Sequence, residues 1–331
     1  MDFLETWRMP LFFVHIPKTA GTSFRLGAEK YFSSERIVYD YGKNSDTTSA
    51  LVKAYLYGDA PDSWQFRQAL LAEKADMIGG HVRIGRFVSL LGVGSTITFL
   101  REPLQRVASE YAHFVRHNGY KGSFKEFYSD PKMHNRQLKA LQGVNTEAIG
   151  LIGLTERYPE SLEMLNKHFG INIPRREDNQ GKPKLNAQHQ LDKEDVAALK
   201  RLNKRDIALY QHATALFESR YAMFKSDQPW AHARLVEAST KRVSGWAWWA
   251  GENNSDEPLD IEVWVNDELA GSVRAVELRP ELCRLLPPRG GHVGFHLPVK
   301  LSAGDRVQCR VTSTGQRFPP TPRRVVEPAK S

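Results

Sequence analysis

Cysteine is nearly absent from this sequence: only Cys283 and Cys309 occur, both near the C-terminal end. Two cysteines are too few for a disulfide framework or for a zinc site built from cysteines alone. We expect both thiols to be free and buried, because unpaired cysteines behave as small apolar residues.

Long apolar runs are also missing, since no uninterrupted stretch approaches the ~20 residues that a membrane-spanning helix needs. The first ten residues, MDFLETWRMP, are short and acidic, without the basic and apolar regions of a signal peptide. Both observations predict a cytoplasmic protein with no membrane span.

Neither sign of charge dominates strongly. The net charge is +8, with 32 basic against 26 acidic residues up to residue 228 and 14 against 12 beyond it. The excess is too small and too scattered to indicate a nucleic-acid partner. It fits anionic ligands such as nucleotides, phosphates or sulfated glycans.

Short apolar runs alternate with helical patterns in the N-terminal part. Residues 11–16, 75–80 and 95–100 are strand candidates, and residues 103–117 form the clearest helical pattern, with Pro103 in its first turn. This alternation predicts an α/β fold with a central parallel sheet flanked by helices. Residues 123–226 read as mostly helical.

The composition changes after residue 228, and five of the seven tryptophans lie beyond it. Alternating apolar residues and turn signals, including Asn266-Asp267, predict a small all-β, sandwich-like domain at 229–331 after a domain at 1–228. Its tryptophans could bind sugar on the surface or fill the core, and the core is the favoured interpretation.

The stretch HIPKTAGTSF, residues 15–24, links the first strand candidate to a helical pattern. A strand that feeds a helix through a tight loop presents unpaired amides and a positive helix end, which together bind anions. Lys18 adds a charge, and Gly21 allows close approach of a ligand. The pattern G-x-x-x-x-G-K-[ST] is absent because the lysine precedes the glycine, which argues against an ATP-dependent kinase. Hydroxyls come from Thr19, Thr22 and Ser23.

A second motif, TFLREPLQRVASEY at residues 98–111, follows in order. Together the two motifs resemble sulfotransferases that use 3′-phosphoadenosine-5′-phosphosulfate (PAPS), in the branch of the heparan sulfate 2-O-sulfotransferases. The similarity covers about residues 10–226 and suggests a bacterial-type member with an appended β domain. It implies a P-loop-like sulfotransferase fold, and a 5′-phosphosulfate loop formed by Lys18, Thr19, Ala20, Gly21, Thr22 and Ser23. Arg101 and Ser109 would bind the 3′-phosphate, Arg101 through its planar fork.

The transfer also needs a base for the acceptor hydroxyl. GGHV at residues 79–82 is similar to the G-H-V that carries the catalytic histidine of that branch, which points to His81. An ordinary imidazole titrates near neutral pH, so turnover is expected to rise with pH through that range. Lys18 would stabilise the charge that develops on the leaving phosphate.

Other histidines carry no assigned catalytic role. His15 is expected to pack or to orient the loop. His113 and His117 are one helical turn apart, but no third ligand is evident, so a surface helix face is favoured and no metal is expected. His134 and His189 lie in polar segments and could line a cleft or face solvent.

These features predict a PAPS-dependent sulfotransferase that acts on a hydroxyl of a carbohydrate or glycolipid. The alternatives are a non-catalytic protein that binds nucleotides or polysaccharides and, less favoured, an ATP-dependent kinase. The combination of Lys18, Arg101, Ser109 and His81 favours the enzyme, since a binding protein needs no base. The polar loop around Asn186 is a further candidate for contact with the adenosine.

Overall fold

The computed structural model describes residues 9–175, 189–251 and 256–325. These residues form two compact units. The first runs up to Leu91 and also contains Ser95–Val144 and Leu151–Thr214, and the second contains Gly92–Gly94, Asn145–Gly150 and the chain from Ala215 onward. That residues 1–228 form a separate domain stays a prediction. Within the described ranges, no helix is long and apolar enough to cross a membrane.

The first unit is built on a five-stranded sheet in which every neighbouring pair is parallel. Its spatial order is β2-β3-β1-β4-β5. All residues of these strands are buried, as expected for a parallel sheet covered on both faces. The predicted α/β fold with a central parallel sheet is therefore confirmed. The strands are β1 Leu11–Val14, β2 Ile37–Asp40, β3 Met77–Gly80, β4 Thr96–Leu100 and β5 Leu151–Leu154.

Ten helices flank or follow these strands in the described part of the chain. The fifth, α5, spans Pro103–His117 as predicted, because Pro103 suits the first turn and the Glu102 side chain accepts from the Gln105 amide at 2.8 Å. The helices are α1 Gly21–Phe32, α2 Ala50–Leu56, α3 Ser63–Ala72, α4 Val88–Leu91, α5, α6 Phe124–Ser129, α7 Arg136–Leu141, α8 Tyr158–Phe169, α9 Lys193–Leu202 and α10 Lys204–Lys225.

Two strands of this sheet were not expected from the sequence. β2 and β5 each contain only four residues, IVYD and LIGL, which is too short for a periodic pattern to separate strand from helix. β5 also interrupts the region 123–226, which was expected to be mostly helical. Pairing with β3 and β4 decides their conformation.

The second unit contains two four-stranded antiparallel sheets, with spatial orders β10-β11-β7-β6 and β13-β12-β8-β9. Residues from both sheets share one apolar core, for example Ala247, Val263 and Phe295. This confirms the sandwich-like all-β architecture. Asn266 and Asp267 both have positive φ (48° and 70°) and turn β8 into β9 as predicted. The strands are β6 Ala231–Ala238, β7 Arg242–Trp249, β8 Asp260–Val265, β9 Glu268–Arg274, β10 Glu277–Leu278, β11 His292–Pro298, β12 Arg306–Val311 and β13 Arg317–Arg324, with a short helix α11 at Pro280–Cys283.

The tryptophans of this unit serve mainly as core residues. Trp246 and Trp248 are buried and stack with their ring centroids 4.6 Å apart, and Trp230 is buried as well. The core interpretation is therefore confirmed for these three. The expectation for the cysteines is half wrong: Cys309 is buried among the strands, whereas Cys283 is exposed at the end of α11, outside both sheets.

Candidate functional site

Three segments singled out in the sequence lie at one edge of the parallel sheet. The loop 15–20 follows β1, His81 follows β3 and Arg101 follows β4. Because β1 lies between β3 and β4 and all three run in the same direction, their carboxyl ends meet at that edge. Ligand sites of open α/β sheets form at this edge.

The loop after β1 has an unusual backbone. Lys18 and Ala20 have positive φ angles of 70° and 67°, whereas Thr19 between them does not. The buried Thr19 hydroxyl donates to the carbonyl oxygen of Ile16 at 2.9 Å, which ties the loop to itself. Such alternation turns successive amides toward one side and produces an anion-binding concavity. The Thr19 hydroxyl, which was predicted to contact the ligand, thus stabilises the conformation of the loop.

The amides of this loop have no acceptor within the described residues. None of the six backbone N–H groups from Lys18 to Ser23 donates a hydrogen bond there, and the first amide to do so is that of Phe24, to the carbonyl oxygen of Ala20. The N-cap residue Ala20 offers no side-chain cap to α1. Exposed Thr22 and half-exposed Ser23 place hydroxyls in the same first turn. Together these groups suit an anion.

Arg101 brings a second cation to the loop. Its side chain donates from Nη1 to the carbonyl oxygen of Lys18 at 3.4 Å, and the residue is 7% exposed. Burial lowers the pKa of Lys18, and the positive charge of Arg101 lowers it further. Burial also lowers the pKa of Arg101, although the carboxylates of Glu156 and Glu102 oppose this effect. A second positive charge beside Lys18 makes a bound anion more favourable at this loop.

His81 lies beside the loop and packs on aromatic rings. Its ring centroid is 4.5 Å from that of His15 and 4.8 Å from that of Tyr41, both in edge contacts. In the described part of the chain neither ring nitrogen has a hydrogen-bond partner. Part of the residue remains exposed to solvent, although neighbouring atoms surround much of the ring. Its nitrogens are thus available to a ligand.

The pKa of His81 is lowered to about 4, because neighbouring protein atoms desolvate the ring and the cation of Arg136 repels a proton. Glu110 opposes this shift. His81 is therefore neutral at physiological pH and able to accept a proton. That turnover rises with pH as His81 loses its proton stays a prediction, and the lowered pKa moves the expected rise to the acid side of neutrality.

His15 connects the loop to His81, as its predicted packing role requires. The buried ring stacks on Phe13, and its Nδ1 lies 2.9 Å from the Tyr41 hydroxyl. A Cβ on Gly21 would lie 2.1 Å from the ring, so any other residue at this position requires the ring to move. Burial and the nearby charges lower the His15 pKa to about 3, which keeps the ring neutral. Tyr41, part of this cluster, had no sequence signal because it lies in an ordinary polar loop.

No hydrogen bond joins Ser109 to Arg101 in the portions of the chain that the structure describes. Ser109 lies half-buried on α5, and within the same residues its hydroxyl makes no hydrogen bond. Its neighbour Glu110 is buried and accepts from Arg106 at 2.5 Å and from Arg136. This carboxylate opposes the lowering of the pKa of both Lys18 and His81, so the middle of α5 lies close to the site.

The other histidines follow the sequence interpretation only in part. His113 and His117 are exposed on α5, as predicted. The Nε2 atom of His134 lies 2.8 Å from the Tyr128 carbonyl oxygen. Burial, Arg101 and Lys18 lower the pKa of His189, which places it near the two cations. No group of three or more metal-ligating side chains occurs among residues 9–175, 189–251 and 256–325. Asn186 lies outside the described residues.

Three comparisons with known proteins complete these observations. No protein-family model matches the chain, and no curated protein matches it. One solved structure does. The crystal structure of a sulfotransferase from Alicyclobacillus acidocaldarius aligns with 64% of this chain and 98% of its own, at 15% identity and a TM-score of 0.33. At that TM-score the likeness adds nothing to the architecture described above.

Proposed function

We propose that this protein transfers the sulfuryl group of PAPS to a hydroxyl of a carbohydrate or glycolipid. One observation carries the proposal. Arg101 and His81 lie beside the loop that contains Lys18, and six backbone amides of that loop donate no hydrogen bond within the described residues. PAPS has two anionic ends, and the site has two cationic regions. A base beside an anion site is expected of a transferase and is not needed for binding alone.

The residues present fit PAPS, which supplies an activated sulfuryl group when bound. The amides of residues 18–23 suit the 5′-phosphosulfate, because a helix start and a nest of amides both favour anions. Arg101 suits the 3′-phosphate, which its guanidinium can bind through two parallel hydrogen bonds. Ser109, on the adjacent helix, is the proposed second ligand of that phosphate.

His81 acts as the general base in this proposal. Its neutral ring has a free nitrogen and takes the proton of the acceptor hydroxyl as the oxygen attacks. Lys18 neutralises charge that develops on the moving group and on the leaving phosphate. Sulfuryl transfer resembles phosphoryl transfer, where positioning and charge stabilisation supply most of the rate.

The acceptor class rests on the sequence resemblance alone. HIPKTAGTS and REPLQRVASEY are similar to the motifs of the heparan sulfate 2-O-sulfotransferase branch, whose acceptors are glycans. We therefore propose a carbohydrate or glycolipid hydroxyl.

Ligand-dependent melting tests the donor. The desulfated product, 3′-phosphoadenosine-5′-phosphate (PAP), should raise the melting temperature more than ATP with magnesium does, because at equal concentration the ligand that binds more tightly stabilises the folded state more. Lys18→Ala should lose most of this shift, whereas Lys241→Ala, an exposed lysine of the second unit, should keep it. Equal or greater stabilisation by ATP with magnesium would favour a kinase instead.

Transfer of label tests the reaction. Incubation with PAPS carrying radioactive sulfur should label a glycan or glycolipid fraction in a manner that depends on His81. Tight PAP binding without label on any fraction would favour the non-catalytic binding protein.

A further inference from the structure

Gln137, which the sequence does not single out, forms hydrogen bonds with both backbone groups of Arg101. This glutamine belongs to α7 and is completely buried. Its Oε1 accepts from the Arg101 amide at 2.9 Å, and its Nε2 donates to the Arg101 carbonyl oxygen at 2.9 Å. Arg101 is the first residue after β4, so the sheet does not pair these two groups. Gln137 satisfies both, which a buried peptide unit requires.

Gln137 is itself held by α10. The carboxylate of Asp206, also completely buried, accepts from the Gln137 amide at 3.1 Å and from the Leu138 amide at 2.8 Å. Asn135, just before α7, donates its amide to the Asn203 side chain at 2.9 Å. These hydrogen bonds fix the position of α7 relative to α10. The Gln137 side chain therefore contacts Arg101 from a helix that is itself held in place.

From the backbone that Gln137 binds, the Arg101 side chain extends to the loop after β1, where its Nη1 donates to the Lys18 carbonyl oxygen. An arginine has several rotatable bonds, so its guanidinium is directed well only when the backbone that carries it is fixed. Glutamine is suited to this task because it presents one acceptor and one donor at the same distance from the backbone. Leucine provides neither group, and an ionised glutamate provides no donor.

We propose that Gln137 is a positioning residue that directs Arg101 at the 3′-phosphate of the nucleotide. In this way it sets the selectivity for nucleotides that carry a 3′-phosphate over those that lack one. The inference rests on the proposed function, in which Arg101 binds that phosphate, and it adds the residue on which this selectivity depends.

Selectivity is measured with two ligands, PAP and adenosine 5′-phosphate (AMP), which lacks the 3′-phosphate. The ratio of their affinities, determined by calorimetric titration, isolates the contribution of that phosphate. In Gln137→Leu, PAP affinity should fall about tenfold while AMP affinity stays within about twofold, the size of effect expected when a charged hydrogen bond is misdirected. Gln137→Glu keeps the volume and the acceptor and should reduce the ratio in the same direction, which provides a second variant if the first does not fold.

The second unit offers a matched control. Gln316 is also buried and binds both backbone groups of one residue: its Oε1 accepts from the Ala231 amide at 2.6 Å, and its Nε2 donates to the Ala231 carbonyl oxygen at 2.9 Å. Gln316→Leu should lower the melting temperature as Gln137→Leu does, since each leaves two buried polar groups unpaired. Gln316→Leu should leave the ratio of the affinities for PAP and AMP unchanged.

Arg101→Ala separates the failure of this inference from failure of the proposed function. If Arg101→Ala reduces the ratio but Gln137→Leu and Gln137→Glu do not, Gln137 is only structural and the inference is wrong. If Arg101→Ala also leaves the ratio unchanged, Arg101 does not bind the 3′-phosphate and that part of the proposed function is wrong. A lower ratio in all three variants, with Gln316→Leu unaffected, supports both.

Discussion

The sheet of the first unit is buried along the whole length of its strands, whereas some strands of the second unit, such as β8, alternate between buried and more exposed residues. In β8, for example, buried Ile261 and Val263 alternate with more exposed neighbours. The inward residues of the second unit form an apolar core of alanine, valine and aromatic side chains. Polar residues of these strands can point outward, because each of the two sheets has an outer face.

In the first unit, helices cover both faces of the sheet, and the strand ends are left for polar chemistry. Buried charged and polar side chains gather there, including Asp40, Arg101, Arg106 and Glu110. Burying such groups is unfavourable unless they are paired or serve a ligand. The buried charges at these strand ends agree with the proposed site at the carboxyl edge of the parallel sheet. Three predictions test this location with matched control substitutions.

The largest effect is expected from His81→Ala. Turnover per PAP-binding site should fall ~10²-fold or more, equivalent to about 2.7 kcal/mol of transition-state stabilisation, with PAP affinity nearly unchanged. His296→Ala, which removes an exposed histidine of the second unit, should leave turnover intact. Rates divided by the concentration of sites from PAP titration give the measurement. Normal turnover per site in His81→Ala would remove this residue from the mechanism.

Acid sensitivity should also reside in the first unit. The pKa of His15 is about 3 in the folded protein and 6.5 for an ordinary imidazole, so below pH 6.5 the unfolded chain binds a proton that the folded one does not. The free energy of unfolding is therefore unaffected by this group above pH 6.5 and falls as the pH drops toward 3. Between pH 7 and pH 5 the loss from His15 is about 2 kcal/mol.

Urea denaturation at the two pH values measures this loss. In His15→Gln the decrease from pH 7 to pH 5 should be about 2 kcal/mol smaller than in the unmodified protein. His292→Gln, an exposed histidine of the second unit, should leave the decrease as it is. An identical decrease in His15→Gln would mean that His15 does not remain neutral in the folded state.

The smallest effect is expected from Gly21→Ala. Its new Cβ would lie 2.1 Å from the His15 ring, which has to move, and such overpacking costs about 1 kcal/mol or more. PAP affinity should fall with it, because the loop and the ring share this contact. Gly85→Ala is the control, since apart from its own helical turn no described atom lies within 4 Å of its Cβ position. Thermal melting and PAP titration distinguish the two, and equal behaviour would show that the ring moves without consequence.

The amino-acid sequence was enough to specify several local elements and the order of the motifs. LFFV and TITFL predicted strands from their apolar character, and Pro103 marked the start of α5. A strand followed by a lysine- and glycine-containing turn already indicated an anion site, because that chemistry belongs to the backbone and to neighbouring residues. These features depend on contacts between residues close in the chain, which a sequence displays directly.

The folded structure was needed to find which distant side chains complete the site. Gln137 binds Arg101 across 36 residues of chain, and His15 reaches Tyr41 across 26. The four-residue strands β2 and β5 take their conformation from their neighbours in the sheet. The acid-side titration of His81 also depends on packing, because desolvation and the charge of Arg136 arise only when the chain is folded. Local patterns contain no information on such distances, which the packing of the whole unit sets.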